Sequence, residues 1–194
     1  MNFGIKEIPE VAGKRFAESP LGRMSEGKVF DKPMSEYDKP LRSYEKILSL
    51  VPNKDGHWDG ESGNSKWFPN RDYIPPPLNE GGYNNPDKKK WGDILDKYNV
   101  DGIPFKDGEP DFSEISKGTV EIEGFSTDRA SNFAKADIEL AKQKGCSPED
   151  VKKWRQENGY TWHECKDMKT MQLVPHEVHA NVRHSGGISE AKKH

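Results

Sequence analysis

Five of the six histidines, His163, His176, His179, His184 and His194, stand in the last stretch of the chain, and His57 is the outsider. Histidine is the commonest metal ligand and the usual base near neutral pH. A cluster of histidines therefore points to metal-assisted or general-base chemistry. The cluster sits in Gly159–Gly187, GYTWHECKDMKTMQLVPHEVHANVRHSGG.

The elements that must position these residues follow from the local pattern. Tyr160, Thr161 and Trp162 favour a strand. Lys166 to Lys169 is polar and turn-like, and Thr170 to Val174 alternates up to Pro175. Proline opens helices well, because its missing N–H is one that a first turn leaves unpaired anyway. Val178 and Val182 then lie four apart on one helical face, and Gly186 and Gly187 are expected to stop that helix. The order is strand, turn, strand, helix, spanning about 159–187. Side chains alternate along a strand, so His163 should face away from Trp162 and Glu164. A hairpin packed on the helix would gather His163, His179 and His184. Trp162 reads as a core anchor, His176 as solvated, and Gln172 as either binding the helix backbone or orienting the site.

These residues carry a resemblance. Trp162-His163, the strand Met171-Gln172-Leu173-Val174-Pro175, His179, and His184 followed by Gly186-Gly187 resemble the HNH nuclease superfamily. The likeness is to its WHH branch, related to endonuclease VII and found in colicin-like bacteriocin nucleases and polymorphic toxins. Upstream, GNSKWFPN (Gly63 to Asn70) is similar to a segment of the same nucleases. The second histidine of WHH is Glu164 here.

The resemblance implies a ββα-metal fold holding one divalent ion (Mg²⁺, Mn²⁺, Zn²⁺ or Ni²⁺) and hydrolysing phosphodiesters. It implies His163 as general base and His179 and His184 as metal ligands, with Glu164 as ligand or supporting partner; a strand bulge would be needed to turn both neighbours into one site. Lys166 and Arg183 are the candidate substrate contacts. The implied role is a DNA endonuclease acting as the toxic effector of bacterial competition, delivered into a target cell's cytoplasm and neutralised in its producer by an immunity protein. A tRNA-cutting ribonuclease is the rival enzyme. A non-catalytic module built on structural zinc is the rival outside catalysis, disfavoured because such sites usually use cysteines.

Composition sets the frame. The chain has 194 residues, 31% of them hydrophobic, with 18 Gly, 14 Pro and a mean hydropathy of −1.01. An α+β fold with long irregular connections is expected, with an irregular segment or linker at 1–40 and the nuclease domain at 41–194. No apolar run approaches the ~20 residues of a membrane span, and Met1 to Gly13 lacks the apolar core of a signal peptide. Cys146 and Cys165 make no disulfide framework; a structural role is expected for Cys165. The net charge is −3, yet Val151 to His194 holds eight Lys and Arg against five Asp and Glu, an acidic body with a basic tail.

Further elements are legible upstream. Ser43 to Val51 has helical spacing, as does Trp91 to Tyr98. Asn53 to Pro86 is Gly- and Pro-rich, but its aromatics Trp58, Trp67, Phe68, Tyr73 and Tyr83 favour coil packed on a core over disorder. Lys66, Arg71 and Lys88-Lys89-Lys90 are further candidates for phosphate contact. Asp101 to Glu123 reads as short strands around turns. Thr127 to Lys144 is a helix with Phe133, Ala134, Ala136, Ile138, Leu140 and Ala141 as its apolar side. A second helix opens at Ser147-Pro148 and turns Val151 and Trp154 inward. Both should buttress the hairpin.

Overall fold

The computed structural model describes residues 45–46, 48–76 and 85–193. The segment 1–40 lies outside these residues, as do Tyr44, Ile47 and Tyr83; residues 45–46 and 48–50 are helical. The remaining elements are β1 (Gly56–Trp58), β2 (Lys66–Pro69), α1 (Trp91–Lys97), β3 (Ile103–Lys106), β4 (Glu109–Pro110), a 3₁₀ turn (Ser113–Ile115), β5 (Thr119–Glu121), α2 (Arg129–Lys144), α3 (Pro148–Glu157), β6 (Tyr160–Glu164), β7 (Thr170–Pro175), α4 (His176–His179) and α5 (Gly187–Ala191). The class is α+β, with two antiparallel sheets ordered β1-β2-β3-β4 and β5-β7-β6.

The second sheet is built around β7, which pairs with both neighbours. Its register with β6 runs unbroken from Tyr160 opposite Pro175 to Glu164 opposite Met171. Asp167 closes the hairpin: its Oδ1 accepts from the Lys169 and Thr170 amides at 3.0 and 2.8 Å, while Met168 takes a left-handed conformation. Because side chains alternate, one face presents Trp162, Met171, Leu173 and Val120 to a core shared with Ala136, Leu140, Ala141 and Val151 of the two long helices. Val174 on the other face joins Val178, Val182, Phe112 and Ile115 in a second core, together with Trp67, Trp91, Ile94, Leu95, Ile103 and Phe105. The Gly- and Pro-rich stretch, which the sequence favours as coil, pairs instead into β1 and β2; its aromatics Trp67 and Trp58 do pack on the core, meeting Trp91 and Phe105 edge-on.

The helix boundaries obey local chemistry. Asp128 caps α2 by accepting from the Ala130 amide at 3.0 Å, and Gly145 ends it at a φ of 67°. Ser147 and Asp150 form a reciprocal capping box behind Pro148. Two details differ from the sequence reading. Trp154 is 42% exposed and lies against Tyr160 rather than pointing inward, and Ile138 is 41% exposed. The inner face of α2 carries Asn132 and Asp137, both buried, beside Ala136, Leu140 and Ala141, while Ala134 is exposed. Asp137 takes a two-pronged ion pair from Arg155 at 2.9 to 3.2 Å and the Trp162 indole N–H at 2.8 Å. Those bonds satisfy Asp137 at the sheet, and they make Trp162 the expected anchor.

The helix after Pro175 is also shorter than expected. It ends at His179, although helical hydrogen bonds trail on to the Val182 amide. The Asn181 side chain caps the Glu177 carbonyl at 2.7 Å. Gly186 and Gly187 do not stop this helix; Gly187 begins α5. They are needed because the chain here passes against the end of β6. A Cβ on Gly186 would lie 2.8 Å from the Glu164 carbonyl oxygen, and one on Gly187 would lie 2.5 Å from that of Cys165.

Candidate active site

His163 projects from near the turn end of the β6–β7 hairpin, opposite Gln172, on the face away from Trp162 and Glu164, and is 1% exposed. His179 ends α4, and His184 stands on the loop held against β6 by the glycine pair. The fold brings the three together: one nitrogen from each lies within 4.8 Å of the others. Phe112 forms the floor beneath them, its ring 5.0, 5.7 and 5.9 Å from those of His163, His179 and His184.

The donor set fits a metal ion. His163 Nδ1 and His179 Nε2 face each other at 3.2 Å. Two imidazole nitrogens each ~2.05 Å from one tetrahedral ion stand ~3.3 Å apart. His184 Nδ1 lies 2.8 Å from the Val182 carbonyl oxygen, which can only accept. That nitrogen therefore carries the proton, and Nε2 keeps its lone pair. Such an outer partner fixes a ligand's tautomer. Burial pushes the pKa values of His163 and His179 well below the ordinary imidazole range and lowers that of His184; neighbouring positive charges add to the shift at all three. The imidazoles are thus neutral at pH 7, the state in which they ligate.

The remaining nitrogen of His163, Nε2, is buried with no hydrogen-bond partner among the described residues, and the Glu109 carboxylate lies 3.9 Å away. Burial also raises the Glu109 pKa. Glu109, His163 and Cys165 form an overlapping group of possible ligands. Burial and the carboxylates of Glu109, Asp167 and Asp111 push the Cys165 thiol up to about 12. The three-histidine set, with its 3.2 Å nitrogen pair and the fixed tautomer of His184, is the better metal site. Both cysteines are free.

Of the other sequence candidates, Glu164 and Arg183 line the same cleft as the histidines and Lys166 does not. Glu164 is not part of the histidine group: Arg129 Nε donates to its Oε2 at 3.0 Å and Asn132 Nδ2 to its Oε1 at 2.9 Å. No bulge interrupts β6 to turn it toward the histidines. Lys166 ties two turns together instead of facing the cleft, its Nζ donating to the Asp107 carbonyl at 2.8 Å and its amide to Glu109 at 2.5 Å. Arg183 does line the cleft over the histidines, a space of about 560 Å³ whose walls also carry Arg129, His176 and Lys192. Lys66, Arg71, Lys89 and Lys90 are paired with Asp101, Asp96, Glu177 and Asp72 respectively. Phe112, Glu109, Arg129 and Asn132 are site residues that sequence reasoning missed. The one signal for Asn132 was a polar residue at the helical spacing of the buried Ala136 and Leu140.

Residues 103–186 match the family model of the DNase/tRNase domain of colicin-like bacteriocin. The matched stretch runs from β3 to Gly186, so it contains the three histidines, Phe112 and Arg129. It omits β1, β2, α1 and the Gly63–Asn70 segment. No curated protein matches the chain. Among the described residues, no helix is long and apolar enough to cross a membrane.

Proposed function

We propose that the chain is a metal-dependent endonuclease of the HNH type and the toxic domain of a bacterial competition system, with DNA as its substrate. The convergence of His163, His179 and His184 beneath a cleft with basic walls carries this reading. The match to a DNase/tRNase domain over the same residues supports it. The nucleic-acid partner follows from that chemistry, and a cognate immunity protein follows from the toxin role.

All three histidines are read as ligands. The resemblance alone implies His163 as general base; its burial and its 3.2 Å approach to His179 support reading it as a third ligand instead. A bound divalent ion would supply charge neutralisation at the scissile phosphate and an activated water. The chain's own residues do the rest. Phe112 closes the floor against bulk water and holds the imidazoles edge to face. The Val182 carbonyl keeps His184 in one tautomer. Arg129, Arg183 and Lys192 place positive charge where phosphates must lie.

The test is digestion of plasmid DNA and of total tRNA by the purified chain, with Mg²⁺, Mn²⁺, Zn²⁺, Ni²⁺ or EDTA. Plasmid cleavage that EDTA abolishes supports the reading. Cleavage of tRNA alone would transfer the activity to RNA, which the family description also covers. No cleavage of either with any metal would reject the nuclease.

A further inference from the structure

Among the described residues, Arg129, Arg183 and Lys192 are the cations that line the cleft over the histidines. Arg129 differs from the others in being held. It opens α2, and its Nε donates to Glu164 Oε2 at 3.0 Å, while its side chain remains 64% exposed. An arginine has five N–H donors in a rigid fork. One is committed to Glu164, which leaves the terminal N–H groups for a planar, two-pronged partner such as phosphate in the cleft that Arg129 lines.

Glu164 is itself held from behind. Its side chain is 4% exposed, and its second oxygen accepts from Asn132 Nδ2 at 2.9 Å. Asn132 is 0% exposed and is locked by Ser126: its Nδ2 also donates to the Ser126 carbonyl at 2.8 Å, and its Oδ1 accepts from the Ser126 amide at 3.0 Å. Both carboxylate oxygens are thus occupied on the helix side of β6. A buried carboxylate costs free energy unless paired, so this arrangement gives the guanidinium a positioned partner before any ligand arrives.

Resting on the nuclease reading above, we propose that Arg129 grips a backbone phosphate of the nucleic-acid substrate, and that Glu164, backed by Asn132, is its positioning residue. Glu164 is then neither a metal ligand nor the acceptor of a proton. Preorganised charge of this kind acts without rearrangement when substrate binds. It also explains how a glutamate serves beside His163, where the resembling nucleases carry a histidine.

The test has a binding arm that needs no catalysis. Affinity of a fluorescein-labelled duplex DNA is measured by anisotropy in EDTA across a salt series, for wild type, Arg129→Ala, Arg129→Lys and Glu164→Gln. Loss of one phosphate contact lowers the slope of log affinity against log salt by about 0.9, and Arg129→Ala should show that loss. In the cleavage arm, Arg129→Ala should lower kcat/KM by about 10²- to 10³-fold, as expected for a lost charge-stabilising donor, with Arg129→Lys recovering part. Glu164→Gln, nearly isosteric, should lose less than Arg129→Ala, and the double variant should be no worse than Arg129→Ala alone. Zinc affinity by calorimetry should stay within about twofold in every variant, since the histidine ligands are untouched. An unchanged salt slope in Arg129→Ala overturns the proposal. So does a larger cleavage loss in Glu164→Gln than in Arg129→Ala, or a tenfold fall in zinc affinity in Glu164→Gln. A wild type that cleaves nothing would instead reject the nuclease reading, while the binding arm still judges Arg129.

Discussion

Adding one methyl group at Gly187 should damage the histidine site from outside it. The Cβ of an alanine there would stand 2.5 Å from the Cys165 carbonyl oxygen and 2.8 Å from Phe125 Cζ, whereas ordinary contact begins at 3.4 Å. The backbone must therefore withdraw from β6 by up to about 0.9 Å, the difference between the two distances. His184 lies three residues back on the same loop, so part of that displacement reaches its ring. Metal sites tolerate errors of only about 0.2 Å in ligand distance. Gly187→Ala should accordingly weaken divalent-metal binding by tenfold or more, a loss typical of disturbed ligand support. Overpacking of this kind also destabilises by ~1–3 kcal/mol, which lowers Tm by ~2–12 °C for a chain of this size. Calorimetric titration with Zn²⁺ and thermal melts in EDTA read the two effects separately. Wild-type affinity together with a wild-type Tm would refute the idea that the glycine pair exists to seat the His184 loop against β6.

The other expectations are more direct. His163→Ala, His179→Ala and His184→Ala should each lower metal affinity about 10²-fold or more by removing a ligand; a variant that binds as wild type removes its residue from the set. Asp137→Ala strands the Arg155 guanidinium and the Trp162 indole N–H in the interior and should cost about 3–5 kcal/mol in denaturant unfolding; a loss within error would show the buried pair to be dispensable. The metal-free chain should lose stability on mild acidification. Its three imidazoles have lowered pKa values in the fold, so the unfolded chain takes up protons that the folded chain refuses. Their contribution is complete above the ordinary imidazole value of about 6.5 and is lost as the pH falls below it. Tm in EDTA from about pH 8 down to about pH 5.5 should fall, and less steeply in His179→Asn; equal slopes would reject the assignment.

Local signals made much of the architecture readable. Ser147-Pro148 with Asp150, Gly145, and the strand-like runs on either side of Asp167 each stated a boundary that the fold keeps. Strand alternation correctly put His163 opposite Trp162 and Glu164. What stayed hidden depends on long-range partners. Asp137 and Asn132 face inward because Arg155, Trp162 and Glu164 meet them there, and no apolar count along α2 reveals that. Phe112 reaches the histidines from a different part of the chain. Gly186 and Gly187 carried the right motif for a reason sequence does not display: a close approach to β6 rather than the end of a helix.

The most direct measurement is the initial rate of plasmid cleavage as divalent metal is titrated into a known concentration of the metal-stripped chain. A three-histidine nuclease centre predicts a rate that rises in proportion to added metal and levels off at one equivalent per chain, with no such rise in His179→Ala. Cleavage undiminished in the stripped chain, or a rate that climbs through many equivalents and is equal in His179→Ala, would contradict it.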